Sequence, residues 1–199
     1  MKKIFLLILI TIFTSLTAQR VRVISGDYNF LKDQKFIKVV FKYDHLKFEK
    51  KNLTEQEFLD IRIAEIEKAK GKEEAEKWKV DWEYSKETSF PDKFMMSWNK
   101  NATIQASDKF AQTKYTLIVE PTWVHVGLFF PLASDKALVS SKMTFVETDN
   151  PGNVLMVVEG IKATGDNGFG VPNNNDRIAE CFAKTAKMLA LKVEHYTKK

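Results

Sequence analysis

The chain has 199 residues, 44% hydrophobic and 29% charged, with 31 basic against 26 acidic side chains for a net charge of +5. That length and apolar content suit one globular domain with a real core and exclude a disordered tail. The small positive excess falls far short of the clustered basic footprint of a nucleic-acid binder, and the single cysteine, Cys181, excludes an internal disulfide.

The first eighteen residues read as a secretory signal peptide. Met1-Lys2-Lys3 is a basic start, residues 4–13 are almost unbroken apolar sequence, and Ser15, Thr17 and Ala18 are the small residues a signal peptidase needs. Cleavage after Ala18 leaves residues 19–199 as a single domain. No cysteine follows the apolar run, so lipid attachment of the bacterial lipoprotein kind is not expected, and no second run approaches the length of a membrane span. These features predict an exported protein, periplasmic or associated with the outer envelope.

Residues 21–24 are a short β-rich run broken by Gly26-Asp27. Residues 35–43 alternate, with Ile37, Val39, Phe41 and Tyr43 on one face, and predict a strand with one side on the core. Thr54-Glu55-Gln56-Glu57 is a capping box: the Thr54 hydroxyl suits the Glu57 amide, the Glu57 carboxylate suits the Thr54 amide, and Leu53 and Phe58 occupy the staple positions. A helix therefore starts at Glu55, with Phe58, Leu59, Ile61, Ile63 and Ile66 as its apolar side and Gly71 as its stop. Residues 72–86 predict a second, strongly charged helix whose Ala75, Trp78 and Trp82 form a core stripe. Pro91 suits the first turn of a third helix over residues 92–99, and residues 101–114 predict a connection with a helical turn at 107–110.

The organising stretch is residues 115–163, which predicts three successive strands. In the first, Tyr115, Leu117 and Val119 share a face. In the second, Val139, Met143 and Phe145 alternate with Ser140, Lys142 and Thr144; Asp149-Asn150-Pro151-Gly152 then turns the chain into an antiparallel hairpin. A glycine- and asparagine-rich loop, residues 164–175, leads to a closing helix over residues 176–196, capped by Asn174 or Asn175. Its Ile178, Phe182, Thr185, Leu189, Val193 and Tyr196 follow helical spacing. The fold class is α+β: a single, mainly antiparallel sheet of about five strands with helices packed on it.

Catalytic signals are scarce. His45, His125 and His195 have no local metal-ligand spacing, no serine sits in a nucleophile elbow, and Cys181 reads as a small buried hydrophobe. The glycines at 165, 168 and 170 precede a helix, but the spacing is not a P-loop and no lysine follows. No catalytic, cofactor-binding or metal-binding residue is assigned. One stretch invites a site: Gly127-Leu128-Phe129-Phe130-Pro131-Leu132-Ala133, an apolar connection between strands where a polar one is usual. Either it folds back as a lid on the core, or it is an exposed tip that docks on an envelope protein or a membrane surface with Trp123 and His125 beside it. Partner-binding candidates are therefore Trp123, His125, Leu128, Phe129, Phe130 and Leu132. The alternative is an enzyme with a dispersed site near Trp123, His125 and the 165–170 loop, which a pocketed histidine within reach of a carboxylate would favour.

The runs "SGDYNFLKDQK", "KYTLIVEPTWVHVG" and "FVETDNPGNVL", with a capped, tryptophan-bearing helical block between them and a Gly-rich loop before the last helix, resemble a family of small exported proteins of Gram-negative bacteria. More distantly, the order of elements is similar to the α/β domain of periplasmic lipoproteins related to the curli secretion channel and to the amino-terminal domain of TolB. The motifs that carry the resemblance are strand and turn signatures and not catalytic ones; with the export signal and the scarcity of catalytic motifs, the expected function is a binding or assembly module of the envelope without catalysis. The resemblance carries over no functional residues.

Overall fold

In a computed structural model the described residues are 20–130, 133–165 and 173–198; the expected leader, residues 1–18, lies outside them. The strands are β1 (Arg20–Gly26), β2 (Phe36–Phe41), β3 (Lys47–Phe48), β4 (Gln105–Ser107), β5 (Tyr115–His125), β6 (Leu128–Phe130), β7 (Ala133–Asp135), β8 (Leu138–Glu147) and β9 (Val154–Ala163). The helices are α1 (Glu55–Lys70), α2 (Lys72–Tyr84), α3 (Phe90–Asn101) and α4 (Asn174–Thr197).

The architecture is α+β. Seven strands form one open sheet in the order β1-β9-β8-β5-β2-β4, with β3 also paired to β5; β6 and β7 form a separate two-stranded sheet. The β5-β8-β9-β1 half is antiparallel, as the alternation and the turn at Asp149–Gly152 require, whereas β2 runs parallel to both β4 and β5. The sheet is thus mainly antiparallel, as expected, but with parallel pairings at one side and seven strands where about five were expected. The difference comes from β3 and β4, which are too short for a period-two signal; the helical turn expected at residues 107–110 does not form, β4 ending at Ser107 and residues 108–110 being irregular. The connection after β5 is likewise a hairpin, β6–β7, and not a plain loop.

One face of the sheet carries the helices. Ile37, Val39, Leu117, Val119, Val139, Met143, Phe145, Met156 and Val158 are all buried, and α4 lays Ile178, Phe182, Leu189 and Val193 into the same core. Large side chains buried this way contribute ~1.5–3 kcal/mol each. Tyr196, expected on that face, is half exposed and stacks on Tyr28 at 4.8 Å. The other face is crossed by a ladder of alternating charge, Glu120–Lys142–Glu159–Arg22, each residue opposite the next in register. Arg22 bonds Glu159 at 2.7 Å, and Lys142 stands 3.8 Å from Glu120.

The Thr54 capping box forms as expected: the Glu57 N–H donates to Thr54 Oγ1 at 3.3 Å and the Thr54 N–H to Glu57 Oε2 at 2.7 Å. The apolar side of α1 is narrower than its sequence suggests, because only Phe58 and Leu59 are buried and Ile61 faces solvent. Phe48, Phe58, Trp78 and Trp82 form an aromatic stack between β3, α1 and α2. From Lys72 to Asn101 the chain stays helical. A π-helical turn at Ser85–Ser89 joins α2 to α3, and the Phe90 N–H donates five residues back to Ser85 O. Pro91 lies in the first turn of α3 as expected, but α3 follows α2 without a break, and the widened turn accommodates its missing N–H and its ring.

Candidate functional site

The site is built where β5 outruns β2. Beyond Val119, β5 takes β3 as its parallel neighbour, with Lys47 opposite Trp123 and Phe48 opposite Val124. A β-bulge between Pro121 and Trp123 shifts the register. Straight alternation from Tyr115 would send Trp123 and His125 into the core; the bulge instead buries Val124 and turns both rings to the helix-free side. Their planes lie 15° apart with centroids at 6.1 Å, and the Lys162 ammonium sits 5.8 Å from the Trp123 ring.

Glu49, which follows β3, organises the cluster. Its backbone is left-handed (φ 59°), an uncommon conformation for a residue with a Cβ. Three backbone bonds hold it: its N–H donates to Val124 O at 2.8 Å, and its carbonyl accepts from Trp123 Nε1 at 3.0 Å and from the Asn52 N–H at 3.1 Å. So fixed, its carboxylate accepts the Val126 N–H at 3.0 Å through Oε1 and meets His125 Nδ1 through Oε2. The other imidazole nitrogen, Nε2, lies 2.7 Å from Asp135 Oδ2 at the end of β7. The histidine side chain is 14% exposed, that of Glu49 27% and that of Asp135 59%. Burial of the ring opposes its charge, but the hydrogen bonds to Asp135 and Glu49 and the attraction of both carboxylates outweigh it. The pKa of His125 is raised above the ordinary histidine value.

From the core side, buried Arg177 of α4 supports the same chain segment. Its Nη2 donates to Asn174 Oδ1 at 2.6 Å, to Val126 O at 3.2 Å and to Gly127 O at 3.5 Å. Gly127 itself adopts φ 66° to turn the chain into β6. The root of the β6–β7 hairpin is thus gripped on one side by Glu49 and His125 and on the other by Arg177.

Of the candidates from the sequence, Trp123 and His125 come together, and Leu128, Phe129 and Phe130 form the strand β6 that begins three residues beyond His125. Leu132 and residues 166–170 of the glycine-rich loop lie outside the described residues. Sequence reasoning missed Glu49 and Asp135. Glu49 stands 76 residues from His125, and nothing in its local sequence announces the long-range contact. Asn173, not Asn174 or Asn175, caps α4, accepting from the Asn175 N–H at 2.9 Å.

Chemically the cluster is an imidazole committed at both nitrogens. The histidine within reach of a carboxylate that would favour an enzyme is present, but a general base also needs one free nitrogen facing substrate, and here each faces a carboxylate. Among the described residues no group of three His, Cys, Asp or Glu side chains is placed to hold a metal ion. Cys181 is fully buried, and burial pushes its thiol pKa up to about 12, the opposite of what a nucleophile requires. A separate groove of about 650 Å³ between α1, α2 and the start of α4 is lined by Trp78 and charges of both signs. Its Asp81 accepts from Asn175 Nδ2 at 2.6 Å and so holds the start of α4. Among the described residues no helix is long and apolar enough to cross a membrane.

No protein-family model matches the chain, and no curated protein matches it. Several solved structures are similar to it, among them two of one protein. One is a PelC dodecamer from Paraburkholderia phytofirmans, 10% identical with a TM-score of 0.46, the match covering 86% of this chain and 97% of that one. The other is a variant PelC dodecamer from the same organism, 9% identical with a TM-score of 0.42, covering 89% of this chain and 98% of that one.

Proposed function

We propose that the protein is an exported, non-catalytic binding or assembly module of the cell envelope, and that the β6–β7 hairpin with Trp123 and His125 at its root is the docking element. The observation that carries this reading is the double engagement of His125 by Glu49 and Asp135, which makes the one histidine beside the hairpin an anchor for it. Three further features support it: the basic and apolar leader-like start, the run Leu128-Phe129-Phe130-Pro131-Leu132, and the separation of the hairpin from the main sheet. A docking element needs apolar anchors held on a firm base, and the root bonds supply the base. The enzymatic alternative requires a substrate to take the place of Asp135 at His125 Nε2.

The test is the double variant Phe129→Ser with Phe130→Ser. Purified protein is mixed with envelope membranes, untreated or stripped by protease, and sedimented. The expected result is loss of co-sedimentation with an unchanged melting temperature; protease sensitivity separates a protein partner from the lipid surface. A large fall in melting temperature would mean that the hairpin is a lid on the core, and undiminished association would remove it from the docking role.

A further inference from the structure

The two root bonds of the hairpin differ in kind. Glu49 is held by its backbone and by the Val126 N–H whatever the state of His125. Asp135 is more than half exposed, and water can take over its carboxylate at little cost. A protonated imidazole donates at both nitrogens and satisfies both acids. A neutral one carries a single N–H, so one carboxylate must face a lone pair. Of the two, Asp135 is the one free to move away.

We propose that His125 is a proton-controlled latch on the β6–β7 hairpin: protonated, it ties β7 through Asp135 to the Glu49 turn; neutral, it keeps Glu49 and lets Asp135 go. The functional meaning of the latch rests on the docking role of the hairpin, but the latch itself does not. Opening would free the end of β7 while β6 stays attached through Gly127 and Arg177, so the hairpin pivots instead of unfolding.

The groups facing the ring from each neighbouring element agree with this sign. Glu49 comes from the turn after β3 and Asp135 from β7. The Trp123 ring lies alongside on β5, with Lys162 of β9 on its face and Lys47 of β3 as its register partner. Arg177 reaches the adjacent carbonyls from α4, and on β8 the register partner of His125 is the uncharged Leu138. Two carboxylates in direct contact outweigh cations that reach only the neighbouring ring or the backbone, so the charged imidazole is favoured. The folded-state pKa is raised; the latch is therefore complete below the ordinary histidine value of about 6.5 and is lost as pH rises through the folded-state value.

The experiment follows His125 and the hairpin amides in one sample of the full-length mature protein. Nuclear magnetic resonance reads the imidazole titration and the solvent exchange of β6 and β7 amides between about pH 5.5 and 9, the β5–β8 amides serving as reference for the intrinsic rate. The expected result is a titration above 6.5, accompanied by an exchange ratio of hairpin to reference amides that rises about twofold to tenfold, as the loss of one hydrogen bond to a half-exposed carboxylate requires. In Asp135→Asn the titration should move down and the exchange ratio become flat. A ring that titrates at or below 6.5 overturns the proposal, as does a flat ratio in the wild type, or an Asp135→Asn variant that keeps the pH response. These readouts involve no partner. If the latch operates and the Phe129→Ser/Phe130→Ser variant still associates with membranes, the docking reading fails and the latch stands.

Discussion

Alanine at Gly127 tests the tight root of the hairpin directly. The left-handed φ of 66° is a conformation in which an alanine costs about 1–3 kcal/mol. A Cβ there would also collide with the Asp135 carbonyl oxygen and stand 2.7 Å from the Ala137 amide nitrogen, both backbone atoms that cannot swing aside. Overpacking of this kind typically adds about 1–3 kcal/mol. Two other glycines serve as references. Gly71, between α1 and α2, has φ 93°, ψ 165° and nothing within 4 Å of its would-be Cβ, so Gly71→Ala measures a backbone cost without packing, in a region almost reserved for glycine. Gly160 has no such φ, and its Cβ would meet Thr185 Cγ2 at 3.0 Å and Met143 Cε at 3.3 Å; Gly160→Ala measures packing against side chains that can yield. Urea unfolding followed by circular dichroism gives the three midpoints, compared at constant m-value. Gly127→Ala should lose at least about 2 kcal/mol, backbone and packing together, and more than Gly160→Ala. A loss at position 127 no greater than about 1 kcal/mol would refute the close approach of β7 to the end of β5.

Thr54→Ala removes the hydroxyl that accepts from the Glu57 amide and should cost about 1 kcal/mol of unfolding free energy; an unchanged denaturation midpoint would mean that α1 does not depend on its cap. Cys181, fully buried and with its thiol pKa raised to about 12, should resist an aromatic disulfide reagent at pH 8 until the protein unfolds; rapid labelling of the native protein would show that α4 leaves the sheet readily.

What could be read from the sequence was local or periodic. The capping box spans four residues, and the physics that makes it is complete within them. The β8–β9 hairpin and the core face of α4 follow from alternation at two and at 3.6 residues, repeated often enough to dominate noise. The failures have equally definite causes. Ile61 satisfies a helical apolar pattern, but α1 meets the protein along one edge and leaves it in solvent. The strands β3 and β4 owe their existence to the length of β5 and β2, not to their own residues. The bulge before Trp123 reverses the facing of two candidate site residues, which no count of alternation anticipates. Trp123 and His125 could be suspected from their setting; the acids that define the environment of His125 come from other elements and required the fold.

The widened turn at Ser85–Ser89 also bears on how this chain can change length over generations. It is equivalent to a single inserted residue in an otherwise continuous helix. Trp82 before it and Phe90 after it meet edge to face at 5.9 Å, and Phe94 and Trp98 follow on the same buried side. Deleting one residue there would rotate everything downstream by about 100° around the helix axis. Phe94 and Trp98 would leave their places in the core, and the Pro91 ring would press on a carbonyl that the wide turn now keeps clear. Descendants of this sequence can therefore lengthen or shorten at the turn after β8, while the stretch from Lys72 to Asn101 should keep its residue count even where its residues change.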